Sequence, residues 1–210
     1  RYAAETWGDA TAFWFEGRET SFNQTEAISN KIANSLLELG VQPGERVCYL
    51  GKNTDYFYMI LWGTVKVRGA MTGINNRLAA PEFVYAINDS GASTLFVTPE
   101  FFDVIAQIQS ECPKLKNIVC VEGERDGWLS YDRMVADGSD APLDLPHPAD
   151  DDVVQLYTSG TTGFPKGVQL TGSNYMGMFG QLNFVDWAHY DAGEAVMNAM
   201  PLFHVAGVNF

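Results

Sequence analysis

Basic residues are scarce in this chain, with 13 lysines and arginines against 26 acidic residues and a net charge of −13. That deficit disfavours a polyanionic partner held by counterion release, so no nucleic acid polymer is expected. It leaves room for a single nucleotide, which needs one local pocket of N–H groups and a cation. Cysteine is rarer still. Cys48, Cys112 and Cys120 are odd in number and lack paired metal-ligand spacing. Free or buried thiols in a reducing compartment are expected, and hence a cytoplasmic location. Long apolar runs are missing as well. The longest, "YFYMILWGTV" from Tyr56 to Val65, is interrupted by glycine and followed by Lys66 and Arg68. It is too short to span a bilayer and reads as a buried helix.

No charged-then-apolar signal peptide opens the chain. The Asn23-Gln24-Thr25 and Asn88-Asp89-Ser90 sequons are therefore read as chance matches. A chain opening at Arg1 without Met is expected to lack its natural N-terminus. What remains is globular in composition, 46% hydrophobic and 19% charged over 210 residues.

"AFWFEGRETSF" (Ala12 to Phe22) predicts a hairpin turning at Glu16-Gly17. Asn23 is expected to cap a helix, with Glu26 completing a capping box. Ile28, Ile32, Leu36 and Leu39 recur at helical spacing until Gly40. Pro43-Gly44 marks a turn before the strand "RVCYL". Thr54 or Asp55 is expected to cap the next helix, which should run to Gly69. "AMTGI" predicts a strand and "APEFVYAINDSG" a helix ending at Gly91. "TLFV" is a strand, Pro99 opens a helix to about Ser110, and "NIVCV" is another strand. Alternating strands and helices predict an α/β fold: a mainly parallel sheet flanked by helices, plus the small N-terminal hairpin. The Pro- and Asp-rich connector "DAPLDLPHPADDD" (Asp140 to Asp152) reads equally as a domain linker or a long surface loop.

"VVQLYT" then resumes as a buried strand and ends in Thr158-Ser159-Gly160-Thr161-Thr162-Gly163-Phe164-Pro165-Lys166-Gly167. Glycines let a backbone approach a ligand closely and turn its N–H groups inward. Hydroxyls bind phosphate oxygens or Mg²⁺, and a lysine sets positive charge against a triphosphate. The loop follows the carboxyl end of a predicted parallel strand, where open α/β sheets bind ligands. The plain alternative is a flexible Ser/Thr/Gly turn. Spacing excludes better-known phosphate and nucleophile motifs. From Gly160 the sixth residue is Pro165, so the Walker pattern fails. Tyr157 stands where a Gly-x-Ser-x-Gly elbow needs its first glycine. Gly-x-Gly-x-x-Gly is absent.

"YTSGTTGFPKG" resembles the phosphate-binding loop of the adenylate-forming enzymes: acyl-CoA synthetases, peptide-synthetase adenylation domains and luciferases. The stretch from Gly40 through "INDSGASTLFV" resembles that family's first subdomain, and "MPLFHVAG" (Met200 to Gly207) its next motif. The resemblance implies the first part of the family's large N-terminal domain. Residues 1–150 would form its first α/β subdomain, 151–210 the start of the next part, and a C-terminal domain would be absent. It implies an ATP-dependent acid–thiol ligase, most like a fatty-acid acyl-CoA synthetase. A carboxylate attacks the α-phosphorus of ATP, and the acyl group of the resulting adenylate passes to a thiol. ATP, Mg²⁺ and coenzyme A are the expected cofactors, and a carboxylic, fatty acid is the expected substrate. A homodimer is one option for the oligomeric state. Other options are an acyl- or aminoacyl-AMP ligase feeding a carrier protein, and a non-catalytic module of the same fold.

By the same resemblance Thr158 would help hold Mg²⁺. Ser159, Gly160, Thr161, Thr162, Gly163 and Lys166 would surround the β- and γ-phosphates. Lys166 would contribute electrostatically, while the lysine that activates the carboxylate lies downstream of this chain. His204, after an expected strand "AVMNAM", would sit where carboxylate and α-phosphate meet; the alternative is a turn histidine making a structural hydrogen bond. His147 and His189 are read as solvated. Met176, Met178 and Phe179 are read as core packing of the helix after the loop, with an acyl-pocket lining as the alternative. The family often has His after "KGVQLT"; here Gly172 and Ser173 follow, and Ser173 is expected to cap the next helix. Ending in mid-motif, the chain is expected to be an inactive fragment of a longer enzyme.

Overall fold

The computed structural model describes residues 1–158, 164–182 and 193–209. Helix α1 (Tyr2–Trp7) precedes a hairpin of β1 (Thr11–Phe15) and β2 (Arg18–Ser21), antiparallel about Glu16 and Gly17, both at positive φ. Helix α2 (Phe22–Glu38), β3 (Arg46–Leu50), α3 (Tyr56–Lys66), β4 (Ala70–Gly73), α4 (Ala80–Ser90) and β5 (Thr94–Val97) follow. Then come α5 (Phe102–Ile108), extended by a short 3₁₀ turn at each end, β6 (Asn117–Cys120), β7 (Leu129–Ser130) and α6 (Tyr131–Asp137). The chain continues with β8 (Asp152–Thr158), β9 (Lys166–Thr171), α7 (Gly172–Leu182) and α8 (Val205–Val208).

Strands β7-β6-β5-β3-β4-β8-β9 form one sheet in that order, parallel except for the last pair. The expected fold class is borne out. Strand periodicity explains how both faces are filled. Val47, Tyr49, Met71, Phe96, Val119, Val154 and Leu156 point towards α2, α3 and α6. Cys48, Leu50, Leu95, Val97 and Cys120 point towards α4 and α5. Apolar residues on both faces are what a sheet covered by helices requires. The three cysteines are free and buried, and burial pushes the Cys48 thiol up to about 12.

Several boundaries differ from expectation, each for a local reason. The cap of α2 is Ser21, not Asn23: its hydroxyl accepts from the Gln24 amide at 3.1 Å, and the Gln24 side chain accepts from the Ser21 amide at 2.8 Å. The Asn23 side chain instead donates to Asp9. Asp55 precedes α3 but does not cap it with its side chain. Both its carboxylate oxygens are taken by the Arg18 guanidinium, at 2.6 and 2.9 Å, and such a bidentate pair is stronger than a cap. Helix α3 stops at Lys66 rather than Gly69. Arg68 takes the left-handed position at φ 62°, and the Gly69 and Arg68 amides donate back to Thr64 and Val65. That is the helix-ending geometry usually supplied by glycine.

The N-terminus of α7 is capped by Thr171, which exchanges hydrogen bonds with Asn174. Ser173 instead donates to the Ala149 carbonyl and to Asp150. Met176 and Phe179 are exposed, so they do not form a helix core as expected. Helices α1 and α6 and strands β7 and β9 were not anticipated; all are short.

Candidate active site

Strands β8 and β9 pair antiparallel, with Thr158 opposite Lys166 and Tyr157 opposite Gly167. Residues directly opposed in such a ladder project from the same face. Leu156 packs with the α3 side and Tyr157 with the α4 side, so alternation puts Thr158 and Lys166 on the α3 side. Both are exposed. The hydroxyl and the ammonium therefore stand together where β8 ends, at the two stems of the Gly/Ser/Thr loop. Ser159, Gly160, Thr161, Thr162 and Gly163 lie outside the described residues, as does His189. At Gly167 a Cβ would push aside the Gln155 side-chain amide, which is held by Arg46 and Tyr157.

The segment carrying His204 reaches the same edge of the sheet. Asn53, in the turn after β3, donates to the Met200 carbonyl at 2.7 Å and accepts from the Leu202 amide at 3.0 Å. Tyr58 on α3 donates to the Gly207 carbonyl and accepts from Asn198. Leu202 and Val208 are buried in the core on the α3 side. The backbone crosses the end of β4 so closely that a Cβ on Gly73 would lie 2.9 Å from the Phe203 Cα. Gly73 pairs with Leu156, two residues before Thr158. Thr158, Lys166 and the His204 segment thus share one face at the carboxyl ends of adjacent strands β4 and β8. Strand β4 leads into α4 on the other face while β8 turns back into antiparallel β9, and the carboxyl ends of parallel strands are where open α/β sheets bind ligands.

His204 is exposed and caps α8, its Nδ1 accepting from the Ala206 amide at 3.3 Å. An accepting Nδ1 leaves Nε2 as the ring nitrogen that carries a proton. The expected strand "AVMNAM" is not formed over the described residues Glu194–Met200. Asn198 explains why: its side chain bridges Tyr58 and Gly207, so the stretch is tied by side-chain bonds and not by a ladder. Asn53, Tyr58, Gly73 and Asn198 were missed by sequence reasoning. A lone Asn inside an apolar run was the available signal.

A polar chain crosses the opposite face of the sheet. Asp152 and Gln155 accept from Arg46, Gln155 donates to Tyr157, and Tyr157 donates to Asp89 at 2.7 Å. Burial and the Asp89 carboxylate hold the Tyr157 phenol well above its usual range. Among the described residues no cluster of three His, Cys, Asp or Glu could hold a metal. Among the described residues at the loop stems, Thr158 is a single neutral oxygen donor, so a hard cation there would need phosphate and water to complete its shell.

The model of the AMP-binding enzyme family matches residues 1–210. The chain belongs to the AMP-binding enzyme family. A fatty acid–[acyl-carrier-protein] ligase, ScoC, of Streptomyces coeruleorubidus is 35% identical over 195 residues, 92% of this chain and 36% of that protein. An indoleacetate–CoA ligase of Aromatoleum aromaticum is 31% identical over 202 residues, 95% and 39% of the two chains. Among solved structures, the anthranilate CoA ligase AuaEII in complex with anthranoyl-AMP superposes with a TM-score of 0.79 at 31% identity, covering 84% of this chain and 34% of that one. The N-terminal domain of FACL13 from Mycobacterium tuberculosis shares the fold, at TM-score 0.84 and 24% identity over 99% of this chain and 51% of that one. This member of the AMP-binding enzyme family therefore spans well under half the length of these curated relatives. No helix among its described residues is long and apolar enough to cross a membrane.

Proposed function

We propose that this chain carries the triphosphate-handling part of an ATP-dependent ligase that activates a carboxylic acid as its adenylate and then forms a coenzyme A thioester. The observation that carries the reading is the Thr158–Lys166 pair, opposed across the stems of the Gly/Ser/Thr loop on the face reached by the His204 segment. In this reading residues 1–150 are the supporting subdomain and 151–210 begin the part that meets the substrates.

A carboxylate and a polyphosphate repel each other, so positioning and charge neutralisation are the main requirements. Lys166, on a strand edge, sets a fixed cation beside the β- and γ-phosphates of ATP. The loop amides and hydroxyls of Ser159, Gly160, Thr161, Thr162 and Gly163 donate to the same oxygens. Thr158 offers one oxygen to magnesium, which when bound withdraws charge from the phosphates. His204, its Nδ1 occupied by the helix cap, keeps Nε2–H to donate to the substrate carboxylate near the α-phosphate. Three free thiols suit a cytoplasmic setting.

Pyrophosphate release by the full-length protein with a panel of carboxylic acids, fatty acids foremost, tests this reading. Release that depends on the acid is expected; none with any acid would sink it. A second reading, with a carrier protein in place of coenzyme A as the acceptor, draws on the 35% identity to a fatty acid–[acyl-carrier-protein] ligase. Product analysis with and without coenzyme A separates the two acceptors.

A further inference from the structure

Helix α4 touches both stems of the loop, and nothing in the proposed chemistry uses those contacts. The Tyr85 hydroxyl donates to the Pro165 carbonyl at 2.9 Å. Its ring stacks on Phe164 with centroids 5.4 Å apart and planes 28° from parallel, and it meets Tyr157 edge-on at 6.4 Å. One helical turn further on, Asp89 accepts from the Tyr157 hydroxyl at 2.7 Å, and the Ala86 carbonyl lies 3.3 Å from the same oxygen. Positions 85 and 89 are neighbours on one helix face.

Pro165 immediately precedes Lys166, and Tyr157 immediately precedes Thr158. A single helix face therefore holds the residue before each of the two groups at the loop stems. The helix itself is firmly seated. Phe83, Ala86 and Ile87 are buried under the sheet, and Glu82 accepts from the Ala79 amide at 2.9 Å to close the first turn. Phe164 is otherwise exposed, so its ring contributes little to the core and its contact with Tyr85 is local. A loop whose ends are fixed before a ligand arrives loses less conformational freedom on binding.

We propose that Tyr85 is a positioning residue for the phosphate loop: through Pro165 and Phe164 it fixes the stem that carries Lys166, as Asp89 through Tyr157 fixes the stem that carries Thr158. The proposal rests on the reading of this loop as the triphosphate site.

Tyr85→Ala and Tyr85→Phe in the full-length protein test it, assayed well below the melting temperature of each variant. Two readouts are needed: KM for ATP against KM for the acid in pyrophosphate release, and amide hydrogen exchange over residues 155–168 without nucleotide. Tyr85→Ala is expected to raise KM for ATP about tenfold, the scale of one hydrogen bond plus a stacked ring, with KM for the acid changing less than about twofold. Exchange over 155–168 should accelerate in step. Tyr85→Phe keeps the ring and should show a smaller rise of about two- to threefold; it decides the matter if the alanine variant does not fold. Unchanged exchange over 155–168 overturns the proposal, as does a parallel rise of both KM values that follows the loss of melting temperature. If the wild type releases no pyrophosphate, the proposed function fails, and the exchange measurement still decides whether Tyr85 holds the loop.

Discussion

Strands β4 and β5 are buried at every position, whereas β9 and α7 leave Val168, Met176 and Phe179 exposed. Val196, Met197, Met200 and Val205 are exposed too, Met197 by 86%. Large apolar residues thus do different work in the two regions. In the first they close a core on both faces of the sheet. In the second, β9 is held by its antiparallel ladder with β8, and the described residues from 193 on by hydrogen bonds from Asn53 and Tyr58, with Leu202 and Val208 as apolar anchors. Stability is concentrated in the first region, and the candidate chemistry stands where the second leaves it.

Deleting matched apolar side chains is the strongest way to break that contrast. Phe96→Ala, in the centre of β5, is expected to cost about 3–5 kcal/mol in urea unfolding, because it leaves a cavity as well as losing transfer free energy. Met197→Ala should stay within about 0.5 kcal/mol. Equal losses would mean the two regions form one core. Next in size is Lys166→Ala, which should slow pyrophosphate release by the full-length enzyme about 10²-fold, or about 2.7 kcal/mol, while the unfolding midpoint stays put. An unchanged rate would make Lys166 structural.

Asn53 is the more delicate test, since its side chain fastens the second region to the first by two backbone bonds. Asn53→Ala leaves the Met200 carbonyl and the Leu202 amide without it, at a cost of about 1–2 kcal/mol. The expected signature is faster amide exchange at Leu202 with little change in β5. KM for the acid should rise severalfold if the His204 segment lines that substrate's site. Uniformly faster exchange would show that the turn after β3 belongs to the core.

The parallel sheet and its helices were legible because hydrophobic period and glycine punctuation coincide in β3 through β6. The misreadings share a cause: a nonlocal partner took a side chain away from its local role. Asp55 pairs with Arg18, Ser173 turns back to Ala149, and Asn198 bridges Tyr58 and Gly207. The loop and its lysine were proposed from residue order alone. The residues around its stems were not, because Gly73, Asn53 and Tyr85 act through residues more than 70 positions away.

The smallest effect concerns Arg68, whose left-handed backbone ends α3 and whose guanidinium joins the Asp140–Asp152 connector to the first region. It donates to both Asp151 oxygens, at 2.7 and 3.1 Å. The hydrogen bonds from Arg68 hold the Asp151 carboxyl below its ordinary value, against a slight desolvation and with a minor contribution from His147. A carboxyl depressed in the folded state stabilises it above the unfolded pKa, near 3.9, and loses that contribution as pH falls through the folded value. Asp151→Asn removes this titration. The variant should melt about 1–2 °C below the wild type at pH 7, the small effect of an exposed pair, and the gap should close as pH drops below about 4. High salt should narrow the gap at pH 7, because exposed charges are screened. A gap that persists at pH 3 would show that Asp151 acts through the shape of the connector and not through its charge.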